Sequence, residues 1–312
     1  MSTRRRTLFV VFILLIGAWA APRTALAQVD FSGSWSPLYH EDGPDRIPGP
    51  ELGDYTGLPL NELGRLRADS YDPDRIAVVP EYPCREHGGQ YTMRGLSNLR
   101  ILAVHDPVDQ HIVGFDLLMG NNGHHRVIHL DGRPHPSERA PHTWQGFSTA
   151  VWEGNMLSIR TTHLKASYTR RNGVPSSDRR TVTEHWMLHG PNREYLTVVT
   201  VDDDPVLLTE PLVQSSSWFL DPGQNVAGNF NCDAVQEVPT PAGRPVPHYL
   251  PDTNPNLKEF SEWYGIPYEA TRGGAETIYP EYRKKLPQSF STLETCGRYC
   301  TCMNVGAACP VR

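Results

Sequence analysis

Residues 124–163 read HHRVIHLDGRPHPSERAPHTWQGFSTAVWEGNMLSIRTTH. This stretch holds six of the chain's thirteen histidines, and its strand patterns decide the fold. On a period-two strand His124, Arg126, Ile128 and Leu130 share one face, while His125, Val127, His129 and Asp131 share the other. Asp131-Gly132 then turns the chain, because Asp starts turns and Gly tolerates positive φ. A second arm, Phe147 to Trp152, reaches Glu153-Gly154-Asn155 and returns through Met156, Leu157, Ile159 and Thr161. The expected result is a meander of hairpin arms with tight connections. A strand that sets Arg and His among Ile and Leu either faces water or pairs those charges inside, since an unpaired buried charge is too costly to keep.

Outward from this stretch the same alternation continues. Ile76 to Val79, Leu99 to Val104, His111 to Met119, Arg179 to Leu188, Glu194 to Val201, Val206 to Val213 and Ser217 to Leu220 read as strands. Proline and glycine make up roughly a sixth of the chain, and helical periodicity is scarce before the C-terminal part. Short strands with short turns and little βαβ alternation predict an all-β domain, an up-and-down antiparallel β-barrel of lipocalin/calycin-like type; a sandwich is the alternative. Phe31-Ser32-Gly33-Ser34-Trp35 suits the first strand of such a barrel, with the Trp plugging its narrow end. Ser36 to Arg75 reads as a long excursion with one short helix near Leu60 to Ala68, either a lid over a barrel mouth or packing on the outside.

Three segments follow from composition. Residues 1–27 read as an export signal: Arg4-Arg5-Arg6, an apolar run from Leu8 to Ala21, then Ala25-Leu26-Ala27 before Gln28. That expectation makes the protein periplasmic or secreted, with no stable membrane anchor. The barrel domain is expected over 28–237. Beyond it, Pro239, Pro241, Pro245, Pro247, Pro251 and Pro255 make an extended connector. The resulting arm, 238–312, carries a helical turn or two at Leu257 to Tyr264 and packs on the barrel, having too few apolar residues for a core of its own. The net charge of −6, with no basic run outside the signal, argues against nucleic acid as a partner. No feature specifies an oligomer.

The central residues resemble a family of exported bacterial proteins known by its pattern: R-x-I-x-x-D-G-R-x-H-P, then G-H-S-x-G-x-W-E-G-D-T-L, then G-x-P-H-S and an E-R-F strand. Here the first piece is intact as Arg126, Ile128, Asp131, Gly132, Arg133, His135 and Pro136. The second survives as Gly146, Ser148, Trp152, Glu153, Gly154 and Leu157, with Phe147 where the family has His. The third reads Gly173-Val174-Pro175-Ser176-Ser177, again without the His, and the fourth reads Glu184-His185-Trp186. The likeness spans roughly Phe31 to Glu237 and implies a barrel. It also implies that any metal or proton chemistry held by the two missing histidines was abandoned or moved to His142, His163 or His185. Six cysteines in an exported chain point to disulfides rather than a metal–thiolate site. The resemblance places Cys84 and Cys232 in the barrel part as a pair, leaving Cys296, Cys300, Cys302 and Cys309 to staple the C-terminal arm.

The remaining candidates are polar groups on apolar strands. His125 and His129 lie about 13 Å apart on one strand face, too far for a single metal. His129, His135, His142 and His163 converge only if their loop folds back, so no metal site is assigned and no cofactor is expected; otherwise they hydrogen-bond loop carbonyls. Glu184 shares a face with Val182, Trp186 and Leu188, and Asp116 one with Ile112 and Leu118. An acid so placed is either salt-bridged or holds a raised pKa suited to proton transfer. Arg126 is the expected partner of Glu184, in a bracket that sets barrel register. No Gly-x-Ser-x-Gly elbow or phosphate loop is present.

Two functions fit. One is an exported enzyme performing acid/base chemistry of lyase, hydratase or isomerase type on a small apolar or aromatic molecule in the barrel cavity. Glu184 and one of His129, His163 or His185 would be acid and base, with Arg126 as orienter, Asp116 as a second carboxylate, and Trp144, Trp152, Trp186 and Phe115 shaping the pocket. The other is a non-catalytic, lipocalin-like carrier of a small hydrophobic ligand. An inward His within hydrogen-bond reach of an inward carboxylate would favour the enzyme.

Overall fold

The computed structural model describes residues 28–38, 50–73, 83–94, 98–120, 124–224, 233–235, 248–250 and 252–286. The strands are β1 (Gly33–Pro37), β2 (Leu99–His105), β3 (Ile112–Met119), β4 (His124–His129), β5 (Phe147–Glu153), β6 (Met156–Thr162), β7 (Ser167–Tyr168), β8 (Pro175–Ser176), β9 (Thr181–His189), β10 (Tyr195–Asp203) and β11 (Leu212–Leu220). Nine of them close a barrel in the order β1-β11-β10-β9-β6-β5-β4-β3-β2, while β7 and β8 form a separate two-stranded sheet. The expected strand Ile76 to Val79, the export signal, Cys232 and the cysteines of the arm lie outside the described residues.

The up-and-down antiparallel expectation needs one correction: β4 and β5 pair in parallel, through Ile128↔Ser148 and His129↔Thr149. The reason is topological. Strands that alternate in direction around a ring of nine must meet one neighbour running the same way. The chain therefore leaves β4 through residues 130–146 rather than doubling back, and Asp131-Gly132 closes no hairpin. The turn at Glu153-Gly154-Asn155 does close one, with Glu153 facing Met156 across β5 and β6 and Gly154 at φ 66°.

Two further expectations shift. Val206 to Val213 is not a strand of its own. Asp204 Oδ1 accepts from the amides of Val206 and Leu207 at 3.0 and 3.3 Å, which holds the chain in a turn until β11 begins. In β3, Val104 faces Gly114 while His105 faces Ile112, so Val113 is bulged out of register. One extra residue flips every later side chain. Ile112 and Phe115 are both buried, whereas Asp116, expected beside Ile112, lies on the outer wall.

The interior is apolar at one end and polar at the other. Phe31 enters the apolar end and packs against Phe115, Trp152 and Trp186, with ring centroids 5.8–5.9 Å away. The Trp35 indole donates to the Phe31 carbonyl at 3.1 Å. Toward the polar end Arg126, 3% exposed, meets Glu184, 0% exposed. The guanidinium also donates through Nε to Ser148 Oγ at 3.1 Å and through Nη2 to Thr161 Oγ1 at 2.8 Å. One side chain of β4 thus reaches β5, β6 and β9.

The segment 50–73 carries helix α1 (Glu62–Asp69), capped by Asn61, whose Oδ1 accepts from the Gly64 amide at 2.9 Å. Tyr55, Leu58, Leu60 and Ala68 form a second apolar cluster with Val174 and Leu212. The described part of the C-terminal arm docks on this excursion: Arg272 donates to Asp69 Oδ2 at 2.5 Å and lies 5.1 Å from the rings of both Tyr55 and Tyr268. No helix among the described residues is long and apolar enough to cross a membrane.

Removing one partner of a buried pair leaves the other charge uncompensated, so Glu184→Gln is expected to lower unfolding free energy by about 3–5 kcal/mol. The double replacement Arg126→Met with Glu184→Leu should recover most of that loss in urea denaturation. In Arg126→Met alone, hydrogen exchange should accelerate first at the two-pair β4/β5 seam.

Candidate functional site

A cavity of about 560 Å³ opens at the polar mouth of the barrel. Its walls come from four places: the end of the excursion (Arg67, Tyr71), residues 85–91 around the short helix α2 (Gly89–Thr92), Trp144 from the long β4–β5 connection, and the β7/β8 hairpin with Tyr168, Arg170 and Arg171. His248 of the C-terminal arm completes the rim, bridged in the backbone to Tyr71.

Backbone contacts hold these pieces in place. The Gly89 amide donates to the Trp144 carbonyl at 3.1 Å, and the Gln145 Nε2 amide donates to the His87 carbonyl at 3.0 Å. His124, on the inner face of β4, accepts from the His87 amide through Nε2 at 2.8 Å. That bond keeps Nε2 unprotonated and stacks the two imidazoles at 5.7 Å. Tyr71 and Tyr168 meet edge to face at 5.4 Å. At Gly173, φ is 87° and any Cβ would fall into the Tyr71 ring, so glycine there is what lets the β7/β8 turn close on the wall.

The aromatic wall is flanked by cations. The Arg85 guanidinium lies 5.8 Å and the Lys165 ammonium 4.9 Å from the Trp144 ring. Burial raises the Tyr168 phenol above its ordinary range, with Arg85 opposing the shift, so the hydroxyl stays a donor at neutral pH.

Beneath the floor is a polar layer. Arg180 and Asp202 are both fully buried, with Nη1 and Oδ2 3.8 Å apart, too long for a hydrogen bond. Arg180 Nε and Nη1, Asp202 Oδ1 and both amide atoms of Gln90 make no hydrogen bond. Burial pushes Asp202 up to about 6, more than Arg180 pulls it down, and burial lowers Arg180 as well. Such a cluster of unmet buried groups is a place for ordered water.

The residues singled out from the sequence are dispersed. Glu184 and Arg126 are brought together, but each Glu184 oxygen is taken by Arg126. Trp186 and Phe115 belong to the packed core, and Trp152 stacks on Phe31. Asp116 pairs with His125 on the outer wall, and His185, on the opposite face of β9 from Glu184, sits 3.3 Å from Ser158 Oγ. His129 packs against Phe147 with its pKa lowered by burial and by Arg133. His163 Nδ1 lies 2.8 Å from Thr162 Oγ1, and its Nε2 donates to the Ser137 carbonyl at 2.9 Å. Only Trp144 of the ten lines the cavity. The histidine set considered for a metal is tied up likewise: His135 lies 2.7 and 2.8 Å from the hydroxyls of Thr162 and Thr149, and His142 Nδ1 lies 2.9 Å from the Leu164 carbonyl.

Among the described residues one trio, Asp106, Asp109 and His111, comes close enough to hold an ion. Asp106 caps its own turn through the Val108 amide at 2.8 Å, and Asp109 pairs with His111. The sequence did signal the residues that were missed. Arg85-Glu86-His87-Gly88-Gly89 concentrates charge against two glycines, and Arg170-Arg171-Asn172-Gly173 sets paired arginines at a tight turn. No protein-family model, curated protein or solved structure matches the chain.

The Asp202 shift has a definite sign. Its folded pKa, about 6, exceeds the ordinary 3.8, so the folded state holds more protons in between, and this group's stabilising contribution fades as pH rises through 6. Asp202→Asn cannot titrate. Between pH 4 and 7 the stability of the unsubstituted protein relative to that variant should fall by up to about 3 kcal/mol, read from paired denaturation curves.

Proposed function

We propose that this chain is an exported small-molecule binding protein that takes its ligand in the cleft at the polar mouth of the barrel. The observation that carries the reading is the cleft itself: about 560 Å³, walled by Tyr71, Tyr91, Trp144 and Tyr168. That is the size and lining expected of a site for a small aromatic compound. The use is lipocalin-like in that a closed sheet supplies the rigid support, but here the ligand lies at the mouth, above the packed core. Glu184 serves the fold, because Arg126 occupies both its oxygens.

An acid–base enzyme is the second reading, and the floor of the cleft is what favours it. The His87 ring lies 4.7 Å from that of Tyr91, and Glu86 lines the same space. Turnover would show as a bound compound recovered chemically changed from the unsubstituted protein and unchanged from His87→Gln.

Native mass spectrometry of protein purified from its own host is expected to show a retained aromatic compound. Calorimetric titration with cinnamate and cinnamamide should give saturable binding, weakened about tenfold or more by Trp144→Ala. Gly173→Ala, which drives a methyl into Tyr71, should weaken binding too and cost about 1–3 kcal/mol of stability. If neither compound binds and nothing copurifies, the binding reading fails.

A further inference from the structure

We infer that the ligand of this cleft carries a carboxylate, which Arg67 and Arg85 recognise while its ring lies against Trp144 and Tyr168. The inference rests on the binding reading above and adds the charge of the ligand to it. The whole chain is acidic, with a formal net charge of −6, yet among the described residues the cleft is lined by Arg67, Arg85, Arg170 and Arg171 and by one carboxylate, that of Glu86. A local field of the opposite sign, set in a concave, partly apolar wall, concentrates anions there.

The four arginines are not equivalent. Arg170 is buried and donates to the Thr56 carbonyl at 3.5 Å, so it braces the wall. Arg67, in the last turn of α1, and Arg85 are exposed, and among the described residues neither meets a carboxylate. Arg85 also lies 5.8 Å from the Trp144 ring and acts electrostatically on Tyr168, which fixes the guanidinium beside the aromatic slot. A planar guanidinium matches a carboxylate through two parallel hydrogen bonds, and it stacks on a ring without losing them. An aromatic acid is the molecule that satisfies both features at once; a cation would be repelled by the arginines, and a neutral ring would leave them unused.

Calorimetric titration of the full-length protein with cinnamate and its uncharged isostere cinnamamide separates the two ideas. Cinnamate should bind at least about tenfold tighter, and the advantage should shrink between about 20 and about 300 mM salt. Arg85→Gln and Arg67→Gln should each reduce the cinnamate-to-cinnamamide affinity ratio several-fold, with melting temperatures near that of the unsubstituted protein because both side chains are exposed. Equal binding of the two probes, both weakened by Trp144→Ala, overturns the carboxylate assignment and leaves the cleft as the ligand site. Tighter binding of cinnamate that ignores both arginine substitutions overturns the assignment of Arg67 and Arg85. If neither probe binds and no compound copurifies, both readings fall together; if a compound copurifies and it carries no carboxylate, only the carboxylate assignment falls.

Discussion

A single guanidinium fastens the one seam of the barrel that strand pairing fastens least. The seam between β4 and β5 has two backbone partners on each side, against eight or nine across β10 and its neighbours. It is also the one parallel pairing in the ring. Arg126 bridges that seam to Ser148, continues to Thr161 and ends on Glu184, so four consecutive strands share one buried cation. Burying an ion pair carries a desolvation cost of several kcal/mol, offset only when the remaining donors are satisfied. Here the two hydroxyls meet that condition and hold the strands in one register.

This use of Glu184 commits both its oxygens to the barrel wall. A carboxylate held on both oxygens by a buried Arg is neither a free base nor open to a substrate. Phe31, Trp35 and the core aromatics fill the opposite end of the barrel. What remains is the polar mouth, where α2 and its flanking residues cross the opening and Met93 joins the core from above. The cleft there is assembled from connections, and the barrel supplies the rigid rim on which they rest.

Much of the barrel was legible because burial on one face writes a period of two into each strand. The strands from Leu99 to Val201 are found close to where alternation placed them, as is the Glu153-Gly154-Asn155 turn, whereas Val206 to Val213 is a turn that leads into one strand, Leu212–Leu220. The parallel seam was not legible, since the number of strands in a closed ring is a global property that no local turn signal carries. The bulge at Val113 escaped for a related reason: a single unpaired residue leaves the composition of β3 unchanged while exchanging the faces of Phe115 and Asp116. The Arg126–Glu184 pairing was legible, because charge on an apolar strand demands a partner. The cleft was not, because Arg67, Tyr71, Arg85 and Tyr168 sit in three separate segments and converge only when the excursion and the β7/β8 hairpin dock.

The same residue types are put to opposite uses at two depths. Inside, Arg126 is committed to an acid from its own chain, and Arg180 faces Asp202 across 3.8 Å with donors to spare. At the mouth, among the described residues, arginines stand beside aromatic rings with one carboxylate between them. A charge buried without a partner would cost the fold several kcal/mol, while a charge at a wetted rim costs little and keeps its reach. Depth therefore divides the arginines' duties: Arg126 and Arg180 below the floor act on the barrel, Arg170 braces the wall, and Arg67 and Arg85 stand exposed at the rim.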